Sequence, residues 1–237
     1  MKKLVLPLLL LTSIASFAQS GGLLKKAGNL LNKGKGGSLS NEDIVAGLKE
    51  ALSVGAQNSA TKLSSVDGFF ANAAIKVLMP PEAQKVEKTL RSAGMGKLVD
   101  DAILSMNRAA EEASKSAAPI FVDAVKNMSF QDALGILRGS DTAATGYLRG
   151  KTLPALTSAF SPVIESALEK TGATRHWKSL MEAYNKIPLV SKVNPDLSGY
   201  VTERALGGLF FQVAQEEQKI RKDPAARVTE TLKKVFG

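Results

Sequence analysis

Six carboxylates stand in adjacent pairs, Asp100/Asp101, Glu111/Glu112 and Glu216/Glu217. Two acids at a suitable separation suffice for glycoside cleavage, so these pairs are the first candidates for catalysis. Neighbouring helical residues point about a hundred degrees apart, which lets at most one of each pair face a common cleft. Solvated helix faces or ion pairs account for all three. Other chemistries fall away on residue type. With a single histidine, His176, and no cysteine, multi-histidine zinc sites, thiolate nucleophiles and thiol redox chemistry have no residues to work with. His176 sits beside Arg175 and Trp177 in a helical pattern, and no nucleophile-elbow sequence accompanies it. The glycines fall at helix ends and linkers, so no phosphate-cradling loop is present. No cofactor is expected.

A second polar constellation lies at a corner, Ser129 to Arg149. Ser129 followed by Asp132 is an acidic capping box and predicts a helix from Phe130, with Phe130, Leu134 and Leu137 on one face and Gly139 as its stop. Ser140 or Asp141 can cap a second helix over 142–149, ended by Gly150. A turn this short predicts crossing helices and brings Arg138, Asp141 and Arg149 together. They form either a structural ion pair or an anion site.

The elements that must position these groups read as helices throughout. Ser40 with Asp43 caps a helix whose stripe runs Ile44, Leu48, Leu52, Gly55 toward Leu63. A loop at Ser64–Gly68, an extended exit before Pro80-Pro81 and a helix over 82–91 follow. The longest helix is expected over 97–116, buried through Leu98, Ala102, Met106, Ala109 and Ala113. Its alanines imply close helix approach. Pro119 opens a helix over 120–127. A helical pattern covers 151–170, with a break expected at Ser161 before Pro162. Further helices are expected over 174–186, over 197–222 with Leu206, Leu209, Phe210, Val213 and Ile220 as its stripe, and from Pro224 to the end. No alternation supports a sheet. The fold expected is all-α, an irregular bundle of about eight to ten helices.

Lys2-Lys3, the apolar run Leu4–Leu11 and Ser16-Phe17-Ala18 together have the form of a secretory signal peptide over 1–18, cut after Ala18. Residues 19–39 then read as a Gly/Lys-rich linker, and 40–237 as a single helical domain. The expected location is outside the cytoplasm, in the periplasm if the cell is Gram-negative. No transmembrane span follows the signal segment, whose apolar run is itself short for one. The whole chain carries +9, with 31 basic residues against 22 acids. For an exported protein that balance points away from nucleic acid and toward a lipid or anionic envelope polymer as partner. Oligomeric state is not legible.

Several phrases resemble the bacterial family called domain of unknown function 4197. They are Asp67-Gly68-Phe69, Met106 through Glu111, Ile136 through Gly139 with Asp141 through Thr145, Gly208-Leu209-Phe210, Glu216-Glu217, Ile220-Arg221, Pro224 through Arg227 and Val235-Phe236. The resemblance runs in order from about Leu39 to Gly237. It implies an exported, all-helical bacterial domain with no assigned activity and no catalytic residues to transfer. It also directs attention to its polar members. Asn107, Arg108, Glu111, Arg138, Asp141, Thr142, Arg221 and Arg227 are expected to converge as one polar network, which either fixes helix packing or lines a pocket. The functional expectation is a binding or interaction protein for a lipid or other apolar or anionic ligand. The alternatives are a carboxylate-dependent cell-wall glycan hydrolase or lyase, and a structural oligomer.

Overall fold

The computed structural model describes residues 40–174, 177–178 and 196–223. The expected signal peptide and linker, His176, the segment 179–195 and the expected C-terminal helix with Arg227 lie outside the described residues. Within them the helices are α1 (Asn41–Ser64), a 3-10 turn (Pro81–Ala83), α2 (Gln84–Ser92), α3 (Gly96–Ser114), α4 (Ala117–Lys126), α5 (Phe130–Leu137), α6 (Ala143–Lys170) and α7 (Leu197–Lys222). No strand occurs among the described residues, and the class is all-α. The expected count of eight to ten extends over residues that are not described.

Local sequence sets several of these limits. Ser40 and Ser129 each close a full capping box, accepting from the N–H of Asp43 and Asp132 while those carboxylates accept the cap N–H in return. Asp196 caps α7 through the N–H of Gly199. Pro80-Pro81 forces the chain out of the irregular segment 65–80 and into the 3-10 turn.

Two sequence expectations fail on α6. Gly150 does not end a helix and Pro162 does not break one, because 143–170 is continuous with Pro154 and Pro162 both inside it. Both prolines face solvent, where water can take up the carbonyls they leave unpaired. The buried face of α3 is broader than the expected one: Met106, Ala109 and Ala113 are buried as expected, and a neighbouring row is buried with them. Leu98 is 60% exposed, while Val99, Ile103, Asn107 and Glu111 face inward. These residues form one four-residue row, which is hidden from a count of apolar residues because two of its members are polar.

The core is contiguous and built on small residues. α6 lies along both α7 and α3, and α1 along α4 and α7. Ala109, Ala110, Ala113 and Ala117 are fully buried at these contacts, as the alanine content predicts. Phe69, Phe121 and Phe160 supply most of the bulk, with Phe121 edge-on to Phe210 at 5.8 Å. Beneath α5 a smaller cluster of Leu48, Met128, Ala133, Ile136 and Ala144 ties that helix to α1 and α6.

Candidate functional site

The polar residues singled out in the sequence form two separate centres, each built around one buried glutamate. In the first, Glu111 on α3 accepts the backbone N–H groups of Phe69 and Phe70 through one oxygen, at 3.1 and 3.2 Å. Its other oxygen accepts from Arg108 at 2.6 Å, and Arg108 reaches on to Asp67 at 2.7 Å. One turn earlier, Asn107 grips the same segment. Its Oδ1 accepts from the Val77 N–H at 2.9 Å, and its Nδ2 donates to the carbonyls of Val77 and Ile103. A stretch without regular structure is thereby given a partner for its buried amides, which would otherwise be costly orphans.

Local geometry explains why the turn reads Asp67-Gly68. Asp67 takes a left-handed φ of 67°, which aspartate tolerates. A Cβ on Gly68 would lie 2.5 Å from the Lys62 carbonyl oxygen and 2.6 Å from that of Leu63, so only glycine lets the chain double back against the end of α1.

The second centre repeats the device at the start of α6. Thr142, the N-cap residue, makes no side-chain capping bond. Its place is taken by Glu217 of α7, which accepts from the N–H groups of Ala144 and Thr145 at 2.9 and 2.8 Å and from the Thr145 hydroxyl at 2.8 Å. Arg221, one turn on, donates twice to Glu217 and once to the Ile136 carbonyl at the end of α5. A carboxylate at a helix N-terminus also meets the favourable end of the helix dipole.

The expected single network is therefore two. Asn107, Arg108 and Glu111 belong to the first centre and Arg221 to the second. Arg138 is exposed and has no ion-pair partner among the described residues, and Thr142 is exposed as well. The expected corner of Arg138, Asp141 and Arg149 does not form. Asp141 pairs with Lys222 at 2.6 Å, and Arg149 lies over the Phe210 ring, 5.7 Å from its centroid.

The hydrogen bond and charge of Lys222 hold the Asp141 carboxyl below the usual range, and Ser129 does the same for Asp132 in its capping box. Depressed folded-state pKa values mean that both contributions are complete above the ordinary aspartate range. They are lost as the pH falls through the folded values. Because the Asp141–Lys222 pair is solvent-exposed, Asp141→Ala is expected to move the melting temperature by no more than about 2 °C, read by circular dichroism.

The paired carboxylates are likewise engaged. Asp100 meets Arg91 at 2.9 Å, Asp101 meets Lys97 at 2.8 Å and Glu112 meets Lys115 at 2.6 Å. Glu216 accepts from Gln212 at 3.2 Å. Of each adjacent glutamate pair one member is buried, Glu111 and Glu217, and its oxygens are directed at backbone amides and an arginine rather than at a cleft.

What the two centres position is a groove. The segment held by Asn107 and Glu111 carries Ala74 and Ile75 to one wall. The helix capped by Glu217 presents Arg149, Leu153, Thr157 and Ser161 along a second, at four-residue spacing. α7 forms the third with Gly199, Thr202, Glu203, Leu206, Gly207 and Phe210, and Arg204 and Phe211 stand beside them. The groove has a volume of about 590 Å³. Tyr200 ties α7 to the loop by donating to the Leu78 carbonyl at 3.1 Å.

Two glycines in the middle of α7 carry a helix penalty of roughly 1 kcal/mol each relative to alanine, and the groove explains both. A Cβ on Gly208 would strike Phe69 at 2.6 Å, so this glycine seats the loop. A Cβ on Gly207 would meet nothing within 4 Å, because Gly207 opens onto the groove. The Gly-Gly pair inside an apolar stripe was the available signal for this site. Thr202, Arg204 and Gly207 were not picked out from the sequence.

Fold and site together define an all-helical domain with an arginine-flanked groove, braced from behind by two buried glutamates. The chain belongs to the family described as protein of unknown function (DUF4197), whose profile matches residues 38–237. Several of the phrases that carried the resemblance meet in the two braces: Asp67-Gly68-Phe69 with Asn107 through Glu111, and Ala143-Ala144-Thr145 with Glu217 and Arg221. No curated protein and no solved structure matches the chain.

Proposed function

We propose that this domain is a binding protein of the cell envelope, exported by way of residues 1–18, and that it holds an apolar ligand bearing an anionic group in the groove between α6 and α7. The observation that carries this is the pairing of apolar walls with two arginines. Ile75, Leu153, Leu206 and Phe210 face the same space as Arg149 and Arg204. A concave, mostly apolar site with a few convergent polar groups is the usual form of a small-molecule pocket. The basic balance, 29 basic residues against 22 acids once Lys2 and Lys3 leave with residues 1–18, adds a general attraction for anions. Chemistry at the site is not required by this arrangement, since the buried carboxylates serve the backbone.

The test is titration of the full chain with a fluorescent fatty acid, 12-(9-anthroyloxy)stearate. Saturable binding at one site is expected. Gly207→Leu fills the groove from a position with open space above it, and is expected to weaken binding at least about tenfold while leaving the circular dichroism spectrum unchanged. Absence of saturable binding, or wild-type affinity in Gly207→Leu, would overturn the proposal.

A further inference from the structure

We infer that the groove recognises a monocarboxylate, and that Thr202 is the residue that hydrogen-bonds it. This assignment rests on the groove being the binding site and names the head group that site takes.

Thr202 lines the groove yet is only 4% exposed, and its hydroxyl has no hydrogen-bond partner. That is unusual on two counts. A helical threonine ordinarily donates to the carbonyl four residues back, as Thr89, Thr152 and Thr157 do here at 2.9, 2.6 and 2.8 Å. A buried hydroxyl left without a partner also costs free energy, which the fold could avoid with a valine of the same shape. Thr174 Oγ1 and Trp177 Nε1 are the other buried side-chain atoms without a partner among the described residues, and neither lines the groove. A buried polar atom without a partner, on a residue that lines a candidate pocket, calls for a partner from outside the chain, which a ligand entering the groove can supply.

The surroundings narrow the ligand. The charged side chains of the lining are Arg149 and Arg204 against Glu203, which leaves one net positive charge and suits a monoanion. A planar carboxylate can place one oxygen at the hydroxyl and the other toward a guanidinium, in the flat geometry that arginine favours. The ligand class is thus a long-chain carboxylic acid, its tail running along Leu153, Leu206 and Phe210.

The experiment displaces the fluorescent fatty acid with dodecanoate, dodecyl phosphate and dodecan-1-ol, using wild type, Thr202→Val and Thr202→Ser. Wild type is expected to prefer dodecanoate to both other ligands by about tenfold. Thr202→Val is expected to lose about tenfold for dodecanoate and nothing for dodecan-1-ol, with Thr202→Ser restoring most of the loss. Without ligand, Thr202→Val should melt at or above the wild-type temperature, since it removes an unsatisfied group. Unchanged dodecanoate affinity in Thr202→Val, equal affinity for the three ligands, or a lowered melting temperature would each overturn the assignment of Thr202. The groove itself would still stand if wild type binds the probe and Gly207→Leu does not. Failure of wild type to bind any of them would remove both.

Discussion

Glu217→Ala is expected to be among the most destabilising single substitutions in this domain, costing about 3–5 kcal/mol. Glu217 is 7% exposed and engages two backbone N–H groups, one hydroxyl and Arg221. Alanine removes the side-chain cap of α6 seen among the described residues and takes from Arg221, which is 12% exposed, the carboxylate it bonds twice. For a domain of this size the loss corresponds to a fall of roughly 10 °C in melting temperature. Glu217→Gln keeps an acceptor for the helix but gives up the charge and should recover only part of it. Denaturant unfolding of both variants checks this. A midpoint for Glu217→Ala within error of wild type would show that α6 does not depend on the cap.

The second large effect is at Glu111. Glu111→Ala orphans the Phe69 and Phe70 N–H groups, and buried donors without partners cost about 1–3 kcal/mol each. Arg108, 39% exposed and also bonded to Asp67, can turn to water, so the charge left behind matters less here than at Arg221. A total of about 2–4 kcal/mol is expected. The two glutamates sit in separate centres that share no partners. The double variant should therefore lose close to the sum of the single losses, whereas Glu111→Ala with Asn107→Ala should not be additive, because both residues hold one segment. Because that segment supplies Ile75 to the groove, Glu111→Ala is also expected to weaken ligand binding, and Glu217→Ala to do so through the wall carrying Arg149.

What the sequence disclosed follows the range of the interactions involved. The starts of α1 and α5 were legible because Ser40 and Ser129 are capped by residues three positions away. The limits of α7 were legible because its stripe is long and regular. The start of α6 was placed correctly to within a residue but for the wrong reason. Ser140 and Asp141 offered a local cap, and the real one comes from Glu217. The prolines of α6 suggested a break, yet their position on the exposed face could not be known before the packing. Glu217 and Glu111 were read as solvated or paired acids, although each falls on its helix's inward row, Glu217 four residues after Val213 and Glu111 four after Asn107. An acid on a buried row is a signal for a buried acceptor, and a count restricted to apolar residues discards it. The groove was the least legible part, since three segments distant in sequence form it.

The cap of α6 has a consequence in time. The N–H of Ala144 and the carboxylate that receives it are 73 residues apart. A chain made from its N-terminus forward completes α6 long before Glu217 exists, and the first turn of that helix stays open until α7 has been synthesised. The last described helix thus acts as the latch on the start of α6, and a product that stops short of residue 217 cannot close it.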